Sequence, residues 1–190
     1  IATSDMACDL VKGKTLKEFF RTLLPHEHPI RLFYHKLVAM AAAIRYGFPA
    51  NKMIVIAVTG TKGKTSTSNM IHRIFTEAGR KTGLLTTINF KIGEDEERNT
   101  TNHTTVSPFQ LQKKIREMAD ARCELLVLEV TSHAVVQHRL WGINVDTALF
   151  TNLSQDHLDY HKTMERYRNA KGGLFERLNA SARKPGVSKI

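Results

Sequence analysis

A cluster of glycine, threonine and lysine in this chain has the composition of a phosphate-binding loop. The stretch AVTGTKGKTS (57–66) follows an apolar run, and a helical pattern begins at Lys64. In a strand–loop–helix unit of this kind, loop N–H groups, the helix N-terminus and one lysine converge on phosphate oxygens. The general motif has a glycine five residues before Gly63, where this chain has Val58. The pattern therefore predicts a shortened phosphate loop, with Lys64 on the β and γ phosphates and the Thr65 hydroxyl on Mg²⁺.

Acidic and imidazole side chains follow two other apolar runs. Glu129 ends the run LLVLE, which places its carboxylate at the edge of the sheet where ligands of doubly wound folds collect. This position predicts a metal ligand, with a capping or exposed-edge role as the alternative. A second group lies within six residues and consists of Asp156, His157, Asp159 and His161. Two histidines would suit zinc, but no cysteine or HExxH spacing supports zinc catalysis, and a surface or capping role for each histidine stays open.

The elements that must position these groups predict an α/β fold, a doubly wound and mostly parallel sheet preceded by a short helical segment. Residues 1–52 are predicted to form this helical segment and residues 53–190 the α/β domain. Buried strands are predicted at 53–59, 124–130 and 145–151, and a strand or hairpin at 81–92. The acidic stretch 93–103 is predicted to be a solvated loop, and 184–190 a turn leading into a further strand.

Apolar spacing predicts the helices. They are expected at 16–24, 30–46 and 64–78, and from Ser107 onward, where the serine is an N-cap before Pro108. The 64–78 helix has a predicted apolar stripe of Met70, Ile71, Ile74 and Phe75. The helix after Ser107 has one of Leu111, Ile115, Met118 and Ala119.

Composition restricts the class of protein. The 190 residues are 42% hydrophobic and 24% charged, which is ordinary for a globular domain. The net charge of +10 divides into +4 over residues 1–52, zero over 53–161 and +6 over 162–190. Because the basic excess lies on the flanks, we expect no dedicated nucleic-acid surface. Two distant cysteines indicate neither a disulfide framework nor a zinc site. The segment 32–48 is too interrupted by charge to span a bilayer, and membrane contact is not expected.

Five motifs in order resemble the Mur ligase family, and within it the MurE type, the UDP-N-acetylmuramoyl-tripeptide synthetases. The resemblance covers residues 53–178, most of that family's ATP-binding central domain. The motifs are GTKGKTS (60–66), TTVSP (104–108), LEVTSHAVVQHRL (128–140), FTNLSQDHLDYHKTMERY (150–167) and AKGGLF (170–175).

The resemblance implies a cytoplasmic, ATP-dependent amide ligase of peptidoglycan precursor synthesis, with ATP and Mg²⁺ as cofactors. Its small-molecule substrates would be a UDP-MurNAc-dipeptide, activated as an acyl phosphate, and an amino acid. By matching position, ATP would be bound by Gly60, Thr61, Lys62, Gly63, Lys64, Thr65 and Ser66. Metal would be held by Thr65, Glu129, His157 and a carbamylated Lys171, and the catalytic residues would be Lys64, His157 and Lys171. The acceptor would be bound by Thr104, Thr105, Thr131, Gln137 and Arg139.

Departures from the family pattern leave alternatives open. Lys62, His103 and Thr131 stand where the family often has asparagine, asparagine and serine. The family's uridine-binding and C-terminal domains are not visible, so we expect an incomplete central domain and a partial, inactive chain. A ligase with another acceptor, of the folylpolyglutamate or cyanophycin synthetase type, is one alternative. A nucleotide-binding protein without ligase activity is another. The amino acid added and the oligomeric state are not indicated by the sequence.

Overall fold

The computed structural model describes residues 28–99 and 106–190, and its centre is a six-stranded sheet. In chain order the strands are β1 (Ile54–Thr59), β2 (Thr82–Leu85), β3 (Asn89–Ile92), β4 (Asp95–Arg98), β5 (Leu125–Glu129) and β6 (Thr147–Phe150). Their spatial order is β4-β3-β2-β5-β1-β6. The four strands β2, β5, β1 and β6 are parallel, and β3 and β4 add an antiparallel hairpin at one edge. The predicted α/β, mostly parallel sheet is confirmed.

Helices follow the strands as the apolar spacing predicts. They are α1 (Pro29–Tyr46), α2 (Lys64–Glu77), α3 (Pro108–Asp120), α4 (Ser132–Val136), α5 (Leu158–His161) and α6 (Met164–Ala180). Helix α3 begins with a complete capping box, in which Ser107 and Gln110 satisfy each other's backbone N–H groups. Leu111, Ile115 and Met118 are buried in the main core, as their spacing predicts. No helix in the described ranges is long and apolar enough to cross a bilayer.

Helix α1 lies on the domain through small residues. Its N-cap is His28, its end is the left-handed Gly47, and the residues it buries are Ala39, Ala42 and Ala43. The helix packs against α3 and against the loop after α4. A Cβ built on Gly142 would lie 2.6 Å from the Cβ of Ala43. Only short side chains allow this approach, which is why the buried face of α1 is built of alanine.

Two predictions about the middle of the chain are wrong. Met70 and Ile74 of α2 are exposed, and this helix buries Ser68 and His72 instead. The buried imidazole donates through Nε2 to the Thr82 carbonyl at 3.2 Å, which supplies the partner that a buried polar group needs. Burial, and then the nearby Lys91, lower the pKa of His72.

The acidic stretch is the other correction, because residues 95–98 form strand β4 and not a loop. All four of its residues are exposed, and the strand lies at the edge of the sheet. Charged side chains are common on edge strands, where they discourage pairing with another chain. A charge run therefore did not mean a loop here. The predicted helix at 16–24 lies outside the described residues, and the division at residue 52 stays a prediction.

The last residue, Ile190, is bonded to the start of β6. Ile190 exchanges backbone hydrogen bonds with Asp146 and Ala148 at 3.1 and 3.0 Å. The Asp146 carboxylate is 1% exposed and accepts from the Val55 N–H at 2.8 Å and from Lys184 Nζ at 2.5 Å. Burial lowers the pKa of Lys184, while the carboxylate opposes that shift. This ion pair therefore fastens the end of the chain to β1 and to the start of β6. Strand β6 lies at the sheet edge and is only partly buried, so the prediction of a buried strand at 145–151 is wrong about its burial.

Candidate functional site

The loop between β1 and α2 is a tight backbone turn held by the segment that follows β6. Gly60 has φ +145°, and a Cβ at this position would collide with Thr151 Oγ1. The Thr61 N–H donates to the Asn152 carbonyl at 2.9 Å, and the Lys62 N–H donates to Asn152 Oδ1 at 3.0 Å. The Lys62 carbonyl in turn accepts from the Thr151 hydroxyl at 2.7 Å. The loop shape is thus fixed by contacts nearly a hundred residues away in sequence.

The N-terminal end of α2 presents the groups expected of a phosphate site. Gly63 is the residue before the helix and has φ +79°, so its conformation favours glycine. The first N–H groups of a helix have no partner within it and carry partial positive charge, which suits an anion. Lys64 begins the helix, and its Nζ donates to the Thr61 carbonyl at 2.8 Å. Lys62, in the loop, and Ser66, in the first turn of α2, are exposed.

Glu129 lies directly below this loop and is held by three hydrogen bonds. Glu129 is only 2% exposed and is the last residue of β5. Oε2 accepts from the Thr65 hydroxyl at 2.9 Å and from the Thr87 N–H at 3.1 Å. Oε1 accepts from the Thr87 hydroxyl at 3.0 Å. Thr65 and Glu129, each predicted as a Mg²⁺ ligand, therefore lie in direct contact, with Thr87 as an additional partner of the carboxylate, and the metal role of the two residues stays a prediction.

Lys171 is buried beside the loop and is not a surface residue. It is 2% exposed, and its Nζ donates to the Gly60 carbonyl at 2.6 Å. The same ammonium lies 4.5 Å from the centre of the Tyr167 ring, a cation–π distance. Burial, and then the nearby charge of Lys64, lower the pKa of Lys171 to about 8. A buried amine with this pKa is neutral far more often than an exposed lysine.

His157 also contacts Tyr167. Its ring is half exposed and has edge contacts with Tyr167 and His133, at centroid distances of 6.1 and 5.1 Å. The Tyr167 hydroxyl is 3.2 Å from Thr61 Oγ1, which connects the aromatic group to the phosphate loop. Burial, and then the charges of His157 and His161, lower the pKa of His133 to about 4. The imidazole of His133 is therefore neutral near pH 7.

The predicted acceptor residues form a second group next to these rings. Gln137 Oε1 accepts from Arg139 Nε at 3.0 Å and from Nη2 at 2.7 Å. Gln137 Nε2 lies 3.5 Å from the Tyr160 hydroxyl, and the Tyr160 ring packs 4.1 Å from that of His133. Burial lowers the pKa of Arg139 from its high ordinary value. Gln137 and Arg139 are thus brought together and connected through Tyr160 to the histidines.

Thr131 has a structural role that its sequence position did not indicate. It is the N-cap of α4, and its hydroxyl accepts from the Ala134 N–H at 3.2 Å. Capping by threonine stabilises a helix start. The predicted acceptor residues Thr104 and Thr105 lie outside the described residues.

The donor set below the loop fits Mg²⁺. A hydroxyl and a carboxylate oxygen, from Thr65 and Glu129, lie 2.9 Å apart at the N-terminal end of α2. Hard oxygen donors are what Mg²⁺ prefers, and it commonly completes its shell with phosphate and water. Across residues 28–99 and 106–190, no group of three or more His, Cys, Asp and Glu side chains could form a metal cage. A metal bound here would therefore need oxygens from a phosphate ligand.

The site is thus a glycine loop between β1 and α2, with the buried Glu129 carboxylate at the end of the adjacent strand β5. This arrangement is that of a phosphate-binding α/β domain. The family model of the Mur ligase middle domain matches residues 58–184, and the chain belongs to this family. The resemblance stated from the motifs is thereby confirmed.

The relatives carry consistent names. A Bacillus velezensis protein named UDP-N-acetylmuramoyl-L-alanyl-D-glutamate–2,6-diaminopimelate ligase is 48% identical over 136 residues, which are 72% of this chain and 27% of the relative. The protein of that name from Geobacillus kaustophilus is 46% identical over 143 residues, 75% of this chain and 29% of the relative. The chain therefore spans less than a third of the length of these relatives.

Solved structures give the same picture of the fold. The structure of a UDP-N-acetylmuramoyl-L-alanyl-D-glutamate–2,6-diaminopimelate ligase aligns with a TM-score of 0.56 at 37% identity, over 65% of this chain and 24% of that one. The Mycobacterium tuberculosis folylpolyglutamate synthase complexed with ADP aligns with a TM-score of 0.57 at 21% identity, over 80% of this chain and 39% of that one. The second likeness shows the shared fold alone.

Sequence reasoning missed Thr87, Tyr167 and Asn152. Thr87 follows β2, the neighbour of β5, so its position at the carboxyl edge was a usable signal. Tyr167 is four residues before Lys171 and so lies on the same helical face, which was a weaker signal. Nothing in the sequence indicated that the Asn152 side chain would bind the backbone of the phosphate loop.

Proposed function

We propose that this chain is the nucleotide-binding part of an ATP-dependent amide ligase that extends a UDP-N-acetylmuramoyl peptide. Its acceptor would be a UDP-MurNAc-dipeptide ending in a carboxylate, and its second substrate an amino acid. The relatives' names support a diamino acid such as 2,6-diaminopimelate. The proposed setting is the cytoplasm, within peptidoglycan precursor synthesis.

One observation carries this proposal: the buried Lys171 amine on the carbonyl of Gly60. An NTP-binding loop needs one lysine at the start of its helix, here Lys64. It has no general need for a second, buried lysine bonded to the backbone of the loop. Burying a cation costs free energy, so a structural role alone would favour an apolar residue. In the Mur pattern the matching lysine is carbamylated, which converts it to an anion able to support a metal. A neutral amine is the form that reacts with CO₂, and the lowered pKa of Lys171 favours that form.

The residues around the loop suit the activation of a carboxylate. A carboxylate reacts poorly with an amine until it carries a good leaving group, and phosphorylation supplies one. Lys64 and the N-terminus of α2 would hold the β and γ phosphates and stabilise the charge that moves during transfer. Mg²⁺, when bound by Thr65 and Glu129, would neutralise phosphate charge. Attack by the amine on the acyl phosphate would then form the amide and release phosphate.

The acceptor would lie on the side of His157 away from the loop. Arg139 presents a planar guanidinium whose Nε and Nη2 already bind one amide oxygen, that of Gln137. A carboxylate or phosphate offers one charged oxygen to each of these two N–H groups, and would bind this fork more strongly. We therefore assign Arg139 to an anionic group of the acceptor, with Gln137 and Thr131 beside it. Thr104 and Thr105 stay predicted acceptor residues on the motif alone.

The test is the dependence of ADP release on both substrates. In the full-length protein, ADP should accumulate only when a UDP-MurNAc-dipeptide and a diamino acid are both supplied with ATP and Mg²⁺. A panel containing folylpolyglutamate and cyanophycin acceptors separates the related ligases. ADP release at the same rate without either substrate would contradict the ligase assignment.

Nucleotide binding is tested separately on the 190-residue chain. Lys64→Ala should weaken binding of a fluorescent ATP analogue at least about 100-fold, because the cation nearest the phosphates is lost. Lys113→Ala is the matched control, since it removes an exposed lysine of helix α3 that is not among the predicted ATP-binding residues. Equal affinity of the wild-type chain and Lys64→Ala would contradict the site itself, whatever the acceptor.

A further inference from the structure

Helix α1 exposes a continuous apolar stripe that no described residue covers. Its large members are Phe33, Tyr34, Leu37 and Ile44, with Ile30 at the start and Ala41 between. At about 100° per residue these six positions fall within an arc of about 100° on the helix. From Ile30 to Ile44 the stripe is about 21 Å long at ~1.5 Å per residue. The buried alanines lie on the opposite face, so this stripe is not the surface that seats the helix on the domain.

The charges of the helix lie on the flanks of this stripe and have one sign. Helix α1 has three cations and no aspartate or glutamate: Arg31 and Arg45 lie on one side of the stripe and Lys36 on the other. Neither Lys36 nor Arg45 forms an ion pair with a carboxylate in the described part of the chain. The Arg45 guanidinium lies 5.8 Å from the centre of the Tyr46 ring, so cation and aromatic ring are adjacent at this border.

We propose that α1 is a membrane-surface helix that lies in the headgroup region of an anionic bilayer through its stripe. A large apolar face with aromatic residues, bordered by cations and lacking acidic residues, is the pattern of interfacial helices. The cations would lie at the level of lipid phosphates, and the apolar side chains would enter the acyl boundary. The sequence argument against membrane contact concerned a bilayer span, whereas this contact requires only one exposed helical face.

Charge complementarity favours a membrane over a second protein surface. An apolar face alone would suit another copy of this chain, but each copy would bring its own cations to the same interface. Like charges facing each other across a two-fold contact oppose association. An anionic lipid surface instead offers both a complementary charge and an apolar phase. The proposal goes beyond the ligase function and does not depend on it.

The experiment is cosedimentation of the 190-residue chain with two kinds of vesicle. One is phosphatidylcholine alone, and the other contains about 30% phosphatidylglycerol, which gives the surface a negative charge. We expect binding to the anionic vesicles that weakens with salt, and little binding to the neutral ones. Phe33→Asp/Ile44→Asp should reduce binding at least about tenfold by removing apolar contact. The matched control is Met70→Asp/Ile74→Asp, on helix α2, because these two residues are 64% and 65% exposed against 62% and 63% for Phe33 and Ile44.

A charge variant tests the second part of the proposal. Lys36→Gln/Arg45→Gln should weaken anionic-vesicle binding about 25-fold, since each cation contributes about fivefold near such a surface. Circular dichroism and nucleotide affinity, measured on every variant, establish that each is folded. Equal binding to neutral and anionic vesicles would overturn the proposal. An absence of binding to either kind of vesicle would also overturn it. A lower melting temperature or a lower molar mass in solution for the stripe variants would do the same, because it would mean that protein covers this face.

Discussion

Replacing Glu129 by glutamine separates a metal-binding role of this residue from a structural one. The carboxylate accepts three hydrogen bonds, two at Oε2 and one at Oε1. A glutamine can place its oxygen at the Oε2 position and still accept from the Thr65 hydroxyl and the Thr87 N–H. Its NH₂ then lies at the Oε1 position and donates to the Thr87 hydroxyl, which reverses its role. Every buried group keeps a partner, so the free energy of unfolding should change by less than about 1 kcal/mol.

The same substitution should have a large effect on metal-dependent nucleotide binding. Glutamine offers a neutral oxygen that is already occupied by two donors, whereas Mg²⁺ prefers a charged carboxylate. Loss of such a ligand should weaken Mg²⁺-supported binding on the order of 10- to 100-fold, which is about 1.4 to 2.7 kcal/mol. Glu129→Ala is the contrasting variant. It leaves three donors without their acceptor and should destabilise the fold by roughly 3 kcal/mol.

The assay is titration of the 190-residue chain with a fluorescent ADP analogue at a series of Mg²⁺ concentrations and in EDTA. Urea unfolding of the same samples gives the stability. We expect wild-type affinity to rise with Mg²⁺, the Glu129→Gln affinity to rise little, and the two to agree in EDTA. Equal Mg²⁺ dependence in both proteins would refute the metal assignment. A loss of affinity that persists in EDTA would show that Glu129 shapes the loop and does not act through the metal.

Three further predictions concern stability. Gly142→Ala should lower the free energy of unfolding in urea more than Gly186→Ala. Both glycines have positive φ, but only a Cβ at position 142 would meet a neighbour, the Cβ of Ala43 at 2.6 Å. Equal losses would mean that α1 does not pack against Gly142. Lys184→Met should lower the free energy of unfolding by about 3–5 kcal/mol by leaving Asp146 buried and unpaired, and Asp146→Asn in the same chain should recover part of the loss. The lowered pKa of His72 means that the unfolded chain binds more protons below about pH 6.5, so stability should fall as pH drops from 7 toward 5. His72→Gln should flatten this slope in pH-dependent urea titrations, and an unchanged slope would contradict it.

Local patterns predicted most of the elements. Helix α1 was expected at 30–46 and is found at Pro29–Tyr46, and strand β1 was expected at 53–59 and is found at Ile54–Thr59. These signals are strong because caps, prolines and apolar periodicity act over a few residues. The errors are of two kinds: on α2 the buried face depends on the strands that the helix packs against, and on β4 a run of charged residues pairs with the adjacent strand β3. Exposure of Met70 could not be read from its spacing, since the polar His72 takes the buried side of that helix.

The sequence by itself determined the family of this chain and the residue types of its candidate site. A loop of glycines with a lysine and a threonine, a glutamate ending an apolar run and the motif order were enough to predict a phosphate site and the Mur ligase resemblance. These features are local, and each depends on residue type and spacing within one element.

The tertiary structure decided which residues meet and which are buried. Only the fold brings Lys171 under Gly60, Thr87 beneath Glu129 and Asn152 against the phosphate loop, because each contact joins segments distant in sequence. Only the fold selects the alanine face of α1 for burial and leaves the larger apolar face outside. Periodicity shows that a helix has an apolar face, but the space left by neighbouring elements determines which face is buried.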